Sequence, residues 1–453
     1  MINERNELQL GQTNSLQVVL PLKYANRHGL ISGATGSGKS VSLQLLAEQF
    51  SQADVSVVLP DIKGDLLGLA SPGQSNPAIA KALQQRAQSS PAWQARPVRR
   101  WSIDGVANSA RLQASLESLG PLLLASLMEL SEVQTSLLQV VFRIARENAQ
   151  PLGNLQELRN LLGWIQTHRQ TLMPKYGGMA DSTISAMQRN LLVLEEQAAG
   201  QFITGFDTPL ADLIDSLGNE GVIQLIDATQ LLHRPVLYAC MYCWLLTRLF
   251  EELPEIGDTS QPKLVLFIDE AHLLFETLGK TLQDNLQRVV RLIRSRGVGI
   301  YFASQLPSDL PDTVLAQLGH RIQHVLRAFT PKDQKAVQIA ANTMRPNPDF
   351  DMVTSLTSLA PGEALVSVLD VNGIPSVTQR IWIKVPCSRI GADLSTARFL
   401  PIKNHRPMLN RTNFELINTV ADTFTGQLAE ISPRELLMLG INRTLRWLLS
   451  KNS

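Results

Sequence analysis

Cysteine is scarce in this sequence, and neither charge sign is in excess. Three cysteines among 453 residues are too few for a disulfide framework, which favours a reducing, cytoplasmic location. Cys240 and Cys243 form a CxxC pair, but no second pair completes a tetrahedral metal site, so core packing is the favoured interpretation. Lys and Arg number 41 against 40 Asp and Glu, so any contact with nucleic acid would need a local basic patch.

Long apolar runs are also missing. The longest run, residues 236–246, is far shorter than the roughly 20 residues that span a bilayer, so it predicts a buried helix. The first residues, MINERNELQLGQ, do not place an apolar stretch after a basic one, and we predict no secretory signal. The sequence therefore predicts a chain that is not inserted in a membrane.

What the chain does contain is an alternation of short β-rich and helical segments, over a length that indicates two or three domains. This alternation predicts an α/β fold with a mostly parallel sheet and helices on both of its faces. ALVSVL (364–369) is a candidate edge strand. The other predicted strands are HGLIS (28–32), VSVVLPD (55–61), VRRWSID (98–104), GVIQLIDA (221–228), KLVLFIDE (263–270), VGIYFASQ (298–305) and RIQHVLRA (321–328).

Between Gly105 and about Glu220 the strand pattern gives way to helical spacing. Three helices are predicted there from apolar residues on one face. The first is one long helix, the second lies around residues 155–165, and the third around residues 184–194. The long helix is predicted from Leu123, Leu127, Leu130, Val133, Leu137 and Val141. We interpret this segment as an all-helical insertion in the sheet domain.

GATGSGKS, residues 33–40, follows a predicted strand and precedes a predicted helix, as a phosphate-binding loop must. Its backbone N–H groups would surround phosphate oxygens, Lys39 would reach the β and γ phosphates, and Ser40 would bind Mg²⁺. The alternative is a glycine-rich turn that matches by chance. The predicted nucleotide-binding residues are Gly33, Ala34, Thr35, Gly36, Ser37, Gly38, Lys39 and Ser40.

FIDEAH, residues 267–272, places two acidic residues at the end of a buried strand. Asp269 would hold the Mg²⁺ shell, and Glu270 would polarise the attacking water, which indicates hydrolysis; a purely structural acidic pair is the alternative. The four letters DEAH also name a helicase class. The SAT-type motif and the second RecA-like domain of that class are missing, and we favour a structural role for His272.

Gln305 ends the strand after FIDEAH, where an amide can sense the γ phosphate or orient water. An ordinary strand cap is its alternative. The segment TLQDNLQRVVRLIRSRGVG sets Arg288, Arg291 and Arg294 opposite an apolar helical face. Such a stripe is usually solvated, but one arginine could reach the γ phosphate of a neighbouring subunit.

Four segments together resemble the HerA and FtsK superfamily of ring-forming, DNA-pumping ATPases: GATGSGKS, PDIKGD (60–65), LVLFIDEAHLL and RSRGVGIYFASQLPSD. DIKGDLLGLASPG and GEALVSVLD are more specifically similar to bacterial HerA-like proteins of the YjgR type. The resemblance implies that Asp269 and Glu270 are the Walker B pair, that Gln305 is the sensor, and that Arg294 is the finger, with Arg296 and Arg327 as other candidates. Asp61 and Lys63 match a D-x-K pattern to which no role is attached.

The predicted fold is a RecA-like P-loop NTPase core with an inserted helical subdomain and a C-terminal helical arm. The core takes residues 1–104 and 221–385, the insertion 105–220, and the C-terminal arm with its helices 386–453. The predicted reaction is Mg²⁺-dependent hydrolysis of ATP. By resemblance, the protein is a homo-oligomer, a hexamer, moving on double-stranded DNA. A nucleotide-gated switch acting on an unidentified protein partner is the alternative, and a motor acting on polypeptide also stays open.

Overall fold

The computed structural model describes residues 6–13, 16–86, 88–196, 198–392 and 395–401. In chain order, the strands are β1 Glu7–Gln12, β2 Gln17–Pro21, β3 Gly29–Ser32, β4 Ser56–Asp61, β5 Val98–Ser102, β6 Ala110–Arg111, β7 Ser216–Leu217, β8 Glu220–Gly221, β9 Ile223–Asp227, β10 Leu264–Ile268, β11 Val298–Ser304, β12 His320–Gln323, β13 Glu363–Ser367 and β14 Gln379–Ile383.

The α-helices, in chain order, are α1 Lys39–Gln52, α2 Pro77–Gln85, α3 Leu116–Leu127, α4 Glu132–Glu147, α5 Leu155–Thr167, α6 Arg169–Tyr176, α7 Asp181–Glu195, α8 Ala198–Phe202, α9 Leu210–Leu213, α10 Pro235–Glu252, α11 His272–Thr277, α12 Lys280–Leu292, α13 Asp312–Leu315, α14 Pro331–Asn342 and α15 Met352–Ser358. Short 3₁₀ helices occupy Leu22–Arg27, Leu67–Ala70, Thr229–His233, Ile293–Arg296 and Pro307–Asp309.

Within the described residues, a 12-stranded sheet orders its strands β2-β1-β14-β13-β12-β3-β11-β10-β4-β9-β5-β6. From β12 to β6 the neighbouring strands are parallel, whereas β13, β14, β1 and β2 are joined by antiparallel pairing. The predicted α/β fold with a mostly parallel sheet is confirmed. Because β3, β11, β10 and β4 are parallel neighbours, their carboxyl ends meet at one edge of the sheet.

The central strands are buried on both faces, which explains why they are apolar runs and not alternating ones. Along β10, Leu266 packs into a cluster shared with the helices α3 to α12, which we name the helical-face cluster. Its neighbour Phe267 packs into a second cluster with Phe50 of α1, which we name the α1-face cluster. Helices therefore cover the sheet on both sides, and the loops at its carboxyl edge stay available for a site.

The helical segment agrees with the prediction for α5 and α7, but not for the one long helix. That prediction is wrong, because α3 ends at Leu127 and a new helix, α4, begins at Glu132. Ser131 caps α4 through a capping box with Gln134, and this local signal overrides the apolar spacing. The segment also includes β6, which adds to the sheet, and the two-residue strands β7 and β8.

The predicted strand at residues 364–369 overlaps β13, which is Glu363–Ser367, but β13 is not at the edge of the sheet. It lies between β12 and β14, since β14, β1 and β2 continue the sheet beyond it. Those three strands were not predicted, because ELQLGQ and QRIWI mix polar with apolar residues and lie outside the strand–helix alternation. The predicted C-terminal helix in RELLMLGINRTLRWLLS lies outside the described residues.

Helix α10 contains the apolar run that was predicted to be a buried helix. Cys240 and Cys243 are both buried in it, which agrees with core packing, and burial raises the pKa of the Cys240 thiol to about 12. Among the described residues, no helix is both long enough and apolar enough to cross a membrane.

Candidate functional site

The phosphate-binding loop connects β3 to α1 at the carboxyl edge of the sheet. Gly33, Gly36 and Gly38 take φ angles of +152°, +75° and +111°, which other residues rarely adopt. A Cβ on Gly33 would also lie 2.5 Å from the Cβ of His324, so only glycine fits there. Thr35 and Gly36 are exposed at the tip of the loop. The tip of the loop is therefore open to solvent, whereas its base packs tightly against His324.

Lys39 is the first residue of α1, and its side chain folds back onto the loop. Its ammonium group donates to the carbonyl oxygen of Gly33 and, at 3.4 Å, to that of Ala34. Burial lowers the pKa of Lys39, and the nearby charge of Lys63 lowers it further. The hydroxyl of Ser37 is buried without a hydrogen-bond partner among the described residues. The loop thus holds a buried cation and an unpaired hydroxyl where phosphate oxygens would bind.

Gln305 follows β11, the strand next to β3. Its carbonyl oxygen accepts a hydrogen bond of 3.2 Å from the N–H of Gly33, and the residue is exposed. The structure therefore places Gln305 beside the phosphate loop, as the sequence predicted. Among the described residues its amide side chain has no hydrogen-bond partner, so it can turn towards a group bound on the loop.

Asp269 and Glu270 follow β10, the next strand along, and both are buried. Burial raises the pKa of Asp269 to about 6. One carboxylate oxygen of Asp269 accepts from the N–H of Glu270 at 2.9 Å, and the hydroxyl of Tyr238 donates to its carbonyl oxygen at 2.6 Å. Glu270 has a φ of +46°, a left-handed conformation that is strained for a residue with a side chain. Backbone strain of this kind is common at active sites, where the surrounding structure holds a residue in an unfavourable conformation.

The carboxylate of Glu270 lies close to two side chains, those of Lys63 and His272, that nothing in the sequence connected with it. Lys63 Nζ lies 3.0 Å from Oε1 of Glu270. The other oxygen, Oε2, is buried and has no hydrogen-bond partner among the described residues, since Nδ1 of His272 is 3.6 Å away. His272 begins α11, so it is both a helix residue and a neighbour of Glu270.

Asp61 is the last residue of β4 and Lys63 follows that strand, on the side of Glu270 that faces away from the phosphate loop. Burial raises the pKa of Asp61 to about 6, and the charge of Asp65 contributes. One oxygen of Asp61 accepts from the N–H of Leu66 at 3.2 Å, and the other is buried without a partner in the part of the chain described. The D-x-K spacing marked this pair in the sequence, but only the sheet order shows that it borders the acidic residues.

His324 supports the phosphate loop from the strand on its other side, and the sequence analysis missed it. Its Nδ1 donates to the carbonyl oxygen of Glu363 at 3.0 Å, and its Nε2 accepts from the hydroxyl of Ser42 at 2.8 Å. Burial lowers the pKa of His324 to about 4, so the ring is neutral. No motif surrounds this histidine in the sequence, and only the pairing of β12 with β3 brings it under Gly33 and Gly38.

Arg294 does not meet the phosphate loop of its own chain. It lies before β11, at the opposite end of that strand from Gln305, where it pairs with Asp258 at 2.9 Å. The 7 residues of β11 separate the two ends by roughly 23 Å at the usual rise per residue. Arg296 is at the same end and donates to the carbonyl oxygen of Leu253 at 2.5 Å. Any contact of these arginines with a nucleotide would need a second subunit.

Arg327 lies at the carboxyl edge instead. It is exposed and follows Val325, whose carbonyl oxygen accepts from the N–H of Ala34 in the phosphate loop at 2.9 Å. Of the arginines proposed from the sequence, Arg327 is thus the one that lies close to the phosphate loop of its own chain.

A cavity of about 440 Å³ extends from the phosphate loop between α2 and the segment after β14. Gly36, Gly38 and Val41 line its near end, and Arg86 and Trp93 lie along it. A space of this size suits a small-molecule ligand, for which cavities of roughly 300–1,000 Å³ are usual.

The residues present also fit a magnesium ion. No group of three or more His, Cys, Asp or Glu side chains that could hold a metal occurs among the described residues. Mg²⁺ does not need such a group, because it commonly binds one or two protein oxygens together with phosphates and water. The hydroxyl of Ser40 and the carboxylate of Asp269 are oxygen ligands of this kind, at the start of α1 and the end of β10.

Comparison with known proteins agrees with this arrangement. The helicase HerA-like C-terminal family matches residues 6–412. A DNA double-strand break repair helicase HerA from Saccharolobus solfataricus is 22% identical over 367 residues, 78% of this chain and 64% of that protein. A probable helicase from Methanocaldococcus jannaschii is 35% identical over 120 residues, 26% of this chain and 21% of the relative. The chain thus spans less than two thirds of these relatives.

Solved structures share the fold at low sequence identity. The bacterial conjugative coupling protein TrwB superposes with a TM-score of 0.56 at 16% identity, covering 86% of this chain and 92% of its own. VirB4 of Thermoanaerobacter pseudethanolicus gives a TM-score of 0.52 at 15% identity, over 84% of this chain and 97% of its own. The match over most of the sequence establishes that the chain belongs to the helicase HerA-like C-terminal family, within the HerA and FtsK superfamily.

Proposed function

We propose that this protein is a Mg²⁺-dependent ATP hydrolase that works as an oligomeric ring motor on DNA. One observation carries the proposal: three neighbouring strands bring the phosphate loop, Gln305 and the pair Asp269 and Glu270 to one edge of the sheet. Phosphate binding, a polar sensor and a carboxylate base are the parts that hydrolysis of a nucleotide needs. Their order along the edge follows the parallel pairing of β3, β11 and β10.

In this mechanism Lys39 exchanges the carbonyl oxygens of its own loop for phosphate oxygens. Glu270 accepts a proton from a water molecule as the water oxygen attacks the γ phosphorus in line. The bond between the γ phosphorus and the bridging oxygen breaks, leaving ADP and phosphate, and Gln305 orients the water or the γ phosphate. Mg²⁺, when bound by Ser40 and Asp269, supplies positive charge to the phosphate oxygens. Oε2 of Glu270, which has no hydrogen-bond partner among the described residues, is the acceptor that such a step requires.

The cavity beyond Gly36 and Gly38 would take the nucleoside. It begins at the phosphate loop, which fixes the direction in which a bound nucleotide extends. The indole of Trp93 could face a base, and the guanidinium of Arg86 already lies over the ring of Trp382. A structure of TrwB in complex with ADP and Mg²⁺ shares this fold at a TM-score of 0.55 and supports a nucleotide as ligand.

DNA as the polymer, and a hexameric ring, rest on the family. The Saccharolobus relative is a DNA double-strand break repair helicase, and the position of Arg294 far from its own phosphate loop suits a finger that acts on the next subunit. Residues 105–220 would form the insertion of each subunit and residues 386–453 its arm. Buried free cysteines suit the reducing cytoplasm.

The test is ATP hydrolysis by the full chain with and without double-stranded DNA, together with gel filtration. Lys39→Ala supplies the blank. We expect hydrolysis that DNA stimulates, in an assembly larger than a dimer. Slow hydrolysis whose rate does not change with DNA would contradict the motor function but not the ATPase activity. A wild-type rate equal to that of Lys39→Ala would contradict the ATPase activity itself.

A second candidate function is favoured by an apolar groove on the helical side. The groove has a volume of about 310 Å³ between α3, α10 and α12, with Leu122, Leu246 and Leu282 in its lining. A nucleotide-gated switch could bind a protein partner there. This alternative expects association that depends on ATP and hydrolysis that DNA does not change, and partners that ignore the nucleotide state would contradict it.

A further inference from the structure

Lys63 is the third residue of the D-x-K motif, to which the sequence attached no role. Its ammonium group lies 3.0 Å from Oε1 of Glu270, across the carboxyl ends of the neighbouring strands β4 and β10. We propose that this ion pair, the Lys63 latch, holds the carboxylate of Glu270 in a resting state and must open before hydrolysis proceeds. The proposal rests on the assignment of Glu270 as the base for ATP hydrolysis.

The two partners differ in a way that suits a latch. The side chain of Glu270 is 10% exposed and that of Lys63 is 40% exposed, so the cation can leave while the carboxylate stays in place. Glu270 is also held by its strained φ of +46° and by the hydrogen bond from its N–H to Asp269. Lys63 sits at the end of a flexible four-carbon chain. Opening the latch therefore needs movement of one side chain or its loop, and not of β10.

The charge of Lys63 opposes the chemistry assigned to Glu270. A carboxylate that accepts a proton from water loses its negative charge, and the ion pair is lost with it. An interaction that is stronger before the transition state than in it slows the reaction. Burial lowers the pKa of Lys63, but the carboxylates of Asp269 and Glu270 outweigh this and raise it, so the cation is present at neutral pH.

The loop of Lys63 is connected to both faces of the sheet. Ile62 is buried in the helical-face cluster, and Leu66 is buried in the α1-face cluster. Between them Gly64 has a φ of +75°, so the chain turns sharply directly after Lys63. A displacement of the helices on the first face would move Ile62 and draw Lys63 away from Glu270. In this way a polymer bound to the helices of the helical-face cluster could open the Lys63 latch at the carboxyl edge of the sheet and allow hydrolysis.

The experiment compares Lys63→Met, Lys63→Arg and the wild type as full chains, with and without double-stranded DNA. Methionine keeps the length of the side chain and removes its charge, and arginine keeps the charge. We expect Lys63→Met to raise hydrolysis without DNA by about tenfold and to lose most further stimulation. Lys63→Arg should remain close to the wild type. The double variant Lys63→Met with Glu270→Gln should hydrolyse ATP no faster than Glu270→Gln alone, because the gain passes through Glu270.

Two controls separate the latch from other effects. Lys335→Met makes the same change at an exposed lysine of α14 and should leave the rate unchanged. Thermal unfolding and binding of a fluorescent ATP analogue report whether Lys63→Met folds and binds. A folded Lys63→Met that binds the analogue but hydrolyses ATP no faster than the wild type overturns the latch. If the wild type binds the ATP analogue no better than Lys39→Ala does, the proposed function itself is overturned.

Discussion

At the scale of single residues, the site consists of charged side chains whose burial is energetically unfavourable. Asp269 and Glu270 are buried carboxylates, Lys39 is a buried ammonium, and Glu270 is strained as well. Burying a charge without a partner is unfavourable, so such groups persist where other groups compensate them. Here the compensation comes from the loop carbonyls, Lys63 and backbone N–H groups. A ligand rich in negative oxygen atoms would complete this set.

The first prediction separates binding from chemistry. Lys39→Ala should lose nucleotide binding, because the loop then lacks the cation that faces the phosphates. Glu270→Gln should bind nucleotide as the wild type does but hydrolyse it about 100-fold more slowly, because an amide cannot accept the proton. Titration with a fluorescent ATP analogue and a phosphate-release assay check the two halves. Equal hydrolysis by Glu270→Gln would exclude Glu270 as the base.

The second prediction concerns His28, which is buried and whose pKa burial lowers to about 4. Nδ1 accepts from the N–H of Ile300 at 3.0 Å and Nε2 donates to the carbonyl oxygen of Val290 at 2.9 Å, so the ring has no place for a second proton. Between about pH 6.5 and pH 4 the unfolded chain binds that proton and the folded chain does not. This residue's contribution to stability is therefore lost as the pH falls through that window.

Denaturation by urea at pH 7.5 and pH 5 measures this contribution. His28→Asn is the comparison, since Asn tolerates the left-handed φ of +58° at this position. The stability advantage of the wild type over the variant should shrink by about 2 kcal/mol at pH 5. A difference that stays constant between the two pH values would show that His28 does not titrate as its surroundings require.

At the scale of elements, the sequence predicted the helices and strands that have a strong local pattern. It did not predict those that depend on capping or on pairing with distant strands. Strong periodicity located α5 and α7, and apolar runs located β4, β10 and β11. The break between α3 and α4 was missed because the apolar spacing continues through it, although the capping signal at Ser131 was there to be read. The strands β1, β2 and β14 were missed because they are half-polar and gain their order from pairing with one another.

The third prediction compares two glycines in different elements. Gly33→Ala places a Cβ against His324 and forces a left-handed φ on alanine, a strain of roughly 1–3 kcal/mol. Nucleotide affinity should fall about tenfold. Gly163→Ala, in the middle of α5, meets no atom within 4 Å and should stabilise the protein by about 0.5–1 kcal/mol without changing affinity. Thermal unfolding and the binding titration distinguish the two, and unchanged affinity in Gly33→Ala would show that the loop tolerates a side chain.

At the scale of the whole molecule, the residues that the sequence predicted for the site lie at two different edges of the sheet. The phosphate loop, Gln305 and the acidic pair share the carboxyl edge, whereas Arg294 is at the amino edge. The sequence motifs identified all of these residues, but linear spacing does not say which edge a residue occupies. For the same reason the contact of Lys63 with Glu270 could not be predicted, since it depends on β4 being the neighbour of β10.

The fourth prediction tests whether Arg294 acts between subunits. Arg294→Ala should bind nucleotide normally and lose hydrolysis by about 1,000-fold or more, as expected for a finger. Lys39→Ala should also be inactive. Mixed assemblies of the two variants should regain part of the activity, because an intact Arg294 of one subunit can then serve an intact phosphate loop of the next. Phosphate release by a 1:1 mixture measures this, and a mixture as inactive as its components would remove the finger role.

The central position of β3 also affects how the chain reaches its folded state. The strand that carries the phosphate loop is made early in synthesis, yet both of its neighbours, β11 and β12, begin only at Val298 and His320. Pairing so distant in sequence is slow and leaves apolar strand edges open in the meantime. A nascent chain can therefore have no working nucleotide pocket until most of it has left the ribosome. Nucleotide binding would then report that synthesis has passed β12, and chains cut short before β11 should be prone to aggregation.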